Sequence, residues 1–483
     1  MISLLEVAER ARSGPKMGEK AWNLGLFKKM QQLVAEYDLT YSGPERFFDV
    51  EESYADDAFR AAVKFLVETG VYCITSNRVI KFTEDEVKAA VREAPKEVTV
   101  GAGNEARVIR KREIEDKLPV HARLTGHRPW SEELLPLPLI VRELARVSRC
   151  AMIEGFNFTT TDGWEVYGQP MEAYAARREL AWMREGVTKA GRQGMSIIYY
   201  PISTKASTLL APIDPDYGLR RTDGILLSTL PDMKVEYDLL TASIVYEEYG
   251  CYRVNGGSFA VTGGFCGGTE GAIIESIAKT IAAWMVYRDC FQYGGCVRKR
   301  LESRTYVPSR TVEEELCVWP TYVVNNALSR HTNIIRFGGF FGVPFSGKQG
   351  SVEFLMGQAV SAIGSTIMGS SVVGGGLIPP LTEFLLEVSD ATIKAEIKRE
   401  DIGDIIQRVL RDTHTHERLK EASETKGRKI LDNRMIMYKS PQEYFKPIQK
   451  IYDFVKQRPS REYLENYNKA KDYLKDIGLK FMD

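Results

Sequence analysis

SFAVTGGFCGGTEGAIIESIAKTIAAWMVYRD, residues 258–289, reads as a strand, a glycine-rich turn and a helix in direct succession. The run SFAVTGG (258–264) is of β type, GGFCGGTEG (263–271) has the small residues of a tight turn, and from Glu270 to Asp289 the side chains of Ile273, Ile274, Ile277, Ile281, Trp284 and Met285 recur on one helical face. Similar units lie on either side. Further β-type runs stand at VTVGAG (98–103), CAMIEG (150–155), GMSIIYY (194–200), CVRKRLES (296–303), NIIRFGGFF (333–341) and STIMGSSVV (365–373), with amphipathic helices such as Met171–Glu185 between them. Strand and helix alternating over about 280 residues predict a parallel sheet, and that length suits an α/β chain closed into a (β/α)8 TIM barrel. A doubly wound open sheet is the alternative.

The flanks differ from this middle part. Residues 1–97 read as a helical and small α/β extension: Glu52–Glu68 has helical periodicity, GVYCIT and RVIKF are short strands, and TEDEVKAAVREAP opens with Thr83 and Glu86 in capping-box positions. The barrel is expected over 98–385. From 386 to 483 charge density rises and helical runs dominate, predicting a C-terminal helical layer.

The 483 residues hold 65 basic and 65 acidic side chains, and 44% are apolar. A neutral chain lacks the field that binding nucleic acid by phosphate neutralisation requires, so no nucleic-acid partner is expected. Seven cysteines form no CxxC pair, which fits a reduced, cytoplasmic setting. Glu6 and Glu9 interrupt what would be a signal peptide. The uncharged stretch Phe354–Thr382 is long enough for a bilayer, but its glycines, serines and Pro379-Pro380 suit a buried helix and strand, so no membrane partner is expected.

The glycine-rich turns match neither a Walker nor a dinucleotide fingerprint and are read as strand-to-helix turns at the C-terminal ends of barrel strands, where sites converge. Glu270 opens a helix there. PVHARLTGHRPW gathers His121, Arg123, His127, Arg128 and Trp130, a mixture able to bind an anionic or aromatic ligand. Asp223, Cys251 and Cys290 lie 28 and 39 residues apart, which puts the two cysteines at equivalent points of successive strand-helix units. They could supply zinc, but the cysteines end helices and so belong to the face opposite that expected for Asp223. Zinc stays a possible cofactor with no ligand assigned.

Taken in order, GPKMGEKAWNL (14–24), GVYCITSNRVIKFTEDEV (70–87), GAGNEARVIRKR (101–112), AGRQGM (190–195), TDGILLSTLPDMKVEYDLLTASI (222–244), GGFCGGTEGAIIESIAKTIAAWM (263–285) and YLKDIGLKF (473–481) resemble the monomethylamine methyltransferase family of methanogenic archaea. The resemblance implies a TIM barrel that hands a methyl group to the cobalt of a corrinoid (cobalamin) carried by a separate corrinoid protein, working on a small-molecule methyl donor and assembling as a homo-oligomer. It also implies that Arg221 occupies the pyrrolysine position, with Asp223 and Glu270 beside the site. A guanidinium would repel methylammonium. The donor expected on that basis is a methoxylated aromatic, O-demethylated with Arg221 holding the phenolate or a ring carboxylate and Glu270 or Asp223 as general acid. Arg123, Tyr199, Tyr200, Phe340 and Phe341 are the expected substrate-binding residues, with Trp130 and Phe345 as further flanking aromatics. A methylamine or other methylated nitrogen compound is the alternative donor, and a non-catalytic barrel that binds the corrinoid protein is a second alternative.

Overall fold

The strand, turn and helix of the decisive stretch are present, but the strand lies a few residues earlier. A computed structural model describes residues 2–40, 51–124, 129–132, 134–214, 216–256, 260–261, 265–293, 297–298, 318–337, 348–414 and 441–482. Its centre is eight strands, β1 His121–Leu124, β2 Cys150–Glu154, β3 Ser196–Tyr199, β4 Gly224–Leu226, β5 Tyr252–Asn255, β6 Asp289–Tyr293, β7 Ile335–Phe337 and β8 Val372–Gly375. They pair in parallel in chain order, and β8 pairs with β1 to close the barrel. The helices that follow them are α1 Leu137–Ala145, α2 Glu172–Lys189, α3 Ala206–Leu210, α4 Tyr237–Tyr249, α5 Thr269–Tyr287, α6 Val318–His331, α7 Val352–Ile367 and α8 Pro379–Ala395.

Successive strand side chains alternate between two cores. Met152, Ile198, Leu226, Tyr252, Val254, Phe291, Ile335, Phe337 and Val372 pack inside the barrel. Ala122, Ile153, Ile197, Tyr199 and Ile225 face the helices in the larger outer core.

VTVGAG is a strand, but not a barrel strand. Glu97–Val100 pairs antiparallel with Arg107–Arg110, and Val100 and Ile109 join the interior cluster. The Gly101 amide donates to the Thr222 carbonyl and the Ala102 amide to that of Gly194, both just before barrel strands. The hairpin therefore plugs the N-terminal end of the barrel.

The same end is sealed by arginines. α-Helices finish here with unsatisfied carbonyls, and Arg192 donates to Ala145, Val147 and Cys150 oxygens. Arg253 serves Cys251 and Tyr287, and Arg112 serves Thr366 and Ser370. Read by composition, SFAVTGG and CVRKRLES look more strand-like than YRVN and DCFQY, yet it is the latter pair that forms β5 and β6 in the barrel sheet. Ala260–Val261 and Val297–Arg298 pair with each other outside the barrel sheet, and residues 299–303 lie outside the described residues. STIMGSSVV is helix as far as Ile367, and its strand begins at Val372.

The N-terminal extension wraps the α5 side of the barrel. Helix Glu84–Glu93 carries the capping box of Thr83 and Glu86, and Ala90 at its far end accepts from Trp284 Nε1 of α5 at 2.9 Å. Helices Glu19–Glu36 and Glu52–Thr69 pack on α5 as well, so α5 is buried almost throughout. Beyond α8, helices Ile402–Asp412, Pro441–Ile451 and Arg461–Asp476 follow, and the last two reach the barrel through Phe445 on Trp130 and Tyr467 on Phe384. The uncharged stretch Phe354–Thr382 is mostly α7 and β8. Among the described residues no helix is long and apolar enough to cross a membrane.

Candidate active site

Two charged side chains meet inside the barrel. Arg123 of β1 and Glu154, the last residue of β2, both turn inward near the C-terminal ends of their strands. Arg123 Nη1 lies 2.6 Å from Glu154 Oε1, with side-chain exposures of 0% and 1%. The guanidinium also lies 5.7 Å from the Phe337 ring centroid. Phe337 stacks on Phe291 at 4.8 Å, and Phe291 meets Tyr252 edge-on at 5.2 Å. Tyr252 and Ser196 share a 2.7 Å hydrogen bond between hydroxyls. Gly374 of β8 leaves room beside the guanidinium, since a Cβ there would stand 3.7 Å from Arg123 Nη2.

Tyr200 follows β3 and packs, half-buried, on this interior cluster. Its carbonyl accepts from Asn157 Nδ2 at 3.0 Å, tying it to the loop after β2. Behind that loop Glu172, 2% exposed, accepts from the Gly168 amide, Ser203 and Thr208, which links the loops after β2 and β3. Glu179 is buried against Gly155, where any Cβ would collide with its carboxyl. It accepts from the Phe156 amide, and burial pushes its carboxyl well above the usual range.

The residues singled out from sequence do not converge. Arg221 is exposed and precedes β4, at the plugged N-terminal end, with its guanidinium 5.8 Å from the Tyr249 ring centroid. It is not a mouth residue. Asp223 lies at the same end, fully buried: Arg184 Nη2 is 2.5 Å away, and Arg220 and the Ile197 amide also donate to it. That donor set fastens β3, β4 and α2 together and leaves Asp223 no route to the mouth as an acid. Both positions were misjudged because TD in the 222–244 segment comes before its strand, and reacting groups in this fold come after theirs.

Glu270 is on the C-terminal side, in the first turn of α5 and half-buried. Arg123 and Tyr200 are also on the side expected. Tyr199 is not, because alternation turns it out of the barrel into the outer core beside Glu179, where burial raises its phenol far above the ordinary value. Trp130 is core, edge-on to Phe156 and Phe445. Phe340, Phe341, Phe345, His127 and Arg128 lie outside the described residues. Asp223 and Cys251 share the N-terminal face, contrary to the expectation that they lie on opposite faces, but Cys251 Sγ is turned to the Arg220 carbonyl. Among the described residues no three His, Cys, Asp or Glu side chains gather as metal ligands.

Glu154 was missed, although it left a signal: a carboxylate closing the otherwise apolar strand CAMIE. Phe291 and Phe337 gave none, since an inward aromatic in an apolar strand reads as core.

The family model described as monomethylamine methyltransferase MtmB matches residues 2–377. Among curated proteins, monomethylamine methyltransferase MtmB2 of Methanosarcina acetivorans is 25% identical over 98% of this chain and 97% of its own length. MtmB of Methanosarcina mazei matches with the same identity and coverage. The crystal structure of the Methanosarcina barkeri monomethylamine methyltransferase superposes with a TM-score of 0.79 at 22% identity, covering 99% of this chain and 98% of that one. The MtmB structure with hydroxylamine gives the same values. With the family model spanning the N-terminal layer, the plug and the barrel through β8, the chain belongs to the monomethylamine methyltransferase MtmB family.

Proposed function

We propose that this protein takes a methyl group from a methylated amine, monomethylamine or a close relative, and passes it to a corrinoid carried by a separate protein. The observation that carries the reading is the inward carboxylate of Glu154, paired with Arg123 in a barrel interior that also holds Phe291, Phe337 and Tyr200, in a chain of this family. A reduced corrinoid supplies a strong nucleophile toward carbon, so the barrel has to present the methyl group and manage the proton on nitrogen. A carboxylate and aromatic faces suit an ammonium group. As the carbon–nitrogen bond breaks, both electrons stay on nitrogen, and the amine leaves as a neutral molecule if it keeps its proton. Glu154 accepts an N–H bond and holds that proton in place, Arg123 fixes the carboxylate's orientation, and the rings exclude water.

A methoxylated aromatic donor loses the residue it depended on. Its phenolate needed a cation at the mouth; Arg221 is at the other end, and Arg123 is engaged by Glu154. The curated relatives are named for monomethylamine.

A donor panel tests the reading. With the reduced corrinoid partner present, monomethylamine or another methylated amine consumes the Co(I) absorbance and methoxybenzoate does not. The opposite pattern supports O-demethylation. Tight binding of the corrinoid protein with no donor active supports a non-catalytic barrel.

A further inference from the structure

Asp232 and Met233, on the loop that leaves β4 at the C-terminal face, are consecutive non-glycine residues with φ of 59° and 56°. L-residues avoid that region, and such backbone persists where its surroundings hold it, often at functional sites. Here the surroundings are the N-terminal layer and α5. Trp22 Nε1 donates to the Asp232 carbonyl at 3.0 Å, the Asp232 amide donates to the buried Glu275 carboxylate, and the Tyr72 amide donates to the Met233 carbonyl at 2.9 Å. Lys234 and Val235 then pair in parallel with Tyr72 and Cys73 as a third strand of the N-terminal sheet, and Lys234 Nζ lies 2.7 Å from Glu19. The same N-terminal helix supports the next mouth loop: a Cβ at Gly267 would strike Gln31, and one at Gly271 would strike Met30. That second loop leads directly into Glu270 in the first turn of α5.

We propose that Trp22 and Glu275 are positioning residues for methyl transfer, holding the β4 loop in its left-handed turn so that Ser228 and Thr229, just past the strand, edge the mouth at a fixed place. The proposal rests on the methyl-transfer reading above. The N-terminal layer already packs along α5 through apolar side chains, so folding does not demand that three hydrogen bonds end on two strained residues; a fixed mouth does.

Two variants test it in the full chain. Trp22→Phe keeps an aromatic ring opposite Tyr72, on which Trp22 stacks at 5.4 Å, and removes the donor. Asp232→Gly removes the left-handed strain and loosens the loop. For each, kcat and KM for the amine, KM for the corrinoid protein and the thermal midpoint are measured. The proposal predicts a rise of fivefold or more in amine KM for both, an unchanged KM for the corrinoid protein, and an Asp232→Gly midpoint at or above that of the parent. Unchanged amine KM in both variants, or a loss confined to kcat that follows a fall in midpoint, overturns it. A parent protein that transfers methyl from no donor overturns the methyl-transfer reading and this proposal with it.

Discussion

Arg123 and Glu154 form a 2.6 Å ion pair inside a closed barrel, on neighbouring strands, with essentially no exposure. Such a pair offsets its own desolvation only while both members are present, and removal of one costs about 3–5 kcal/mol because the other is left buried and uncompensated. Glu154→Gln and Arg123→Met are each expected to lower unfolding stability by about that much. The double variant should lose markedly less than the sum, as read from urea denaturation in a double-mutant cycle. Additive losses would mean that the two groups do not depend on each other.

Arg221→Met is expected to leave methyl transfer unchanged. The side chain is exposed at the plugged end, and its contact with Tyr249 is of the kind worth about 0.5–1 kcal/mol at such sites. A tenfold fall in kcat/KM for the amine would return Arg221 to the site.

Asp223→Asn should act on stability and not on chemistry. The carboxylate satisfies Arg184, Arg220 and the Ile197 amide at once, and breaking a buried charged network costs about 3–5 kcal/mol. Activity per folded molecule should hold, with the unfolding midpoint shifted to lower urea.

Stability should also fall in acid through Glu86. Arg10 binds its carboxylate twice, and with the Thr83 cap this holds the pKa down to about 2 from an ordinary 4.5. A depressed carboxyl stabilises the fold above its unfolded pKa, and that stability is lost as pH falls through the folded value. The window is thus about pH 5 to 2. Because the pair is partly solvated, its share is about 1 kcal/mol. Glu86→Gln should flatten the stability profile over that window, and a profile as steep as the parent's would remove Glu86 as a source.

The barrel was legible in the sequence because its units repeat: the helical face from Ile273 to Met285 and the run GMSIIYY both lie where the pattern puts them. So does the Thr83–Glu86 cap, a signal wholly local to four residues. What was not legible depends on partners far along the chain. YRVN is held as a strand by pairing with Gly224–Leu226 and Asp289–Tyr293, and VTV lies outside the barrel sheet, paired with Arg107–Arg110. The site suffered in the same way. Arg123 and Tyr200 could be picked by type, but Tyr199 differs from Tyr200 only in strand parity, which a shift of one residue reverses. Arg221 and Asp223 were misplaced by a strand that starts only at Gly224, after both of them.

Loss of Co(I) absorbance from the reduced corrinoid protein, followed with monomethylamine for the parent chain and for Glu154→Gln, is decisive. The carboxylate's role predicts rapid loss with the parent and a rate at least a hundredfold lower with the variant, measured on protein shown to be folded at the assay temperature. Equal rates for the two would contradict it.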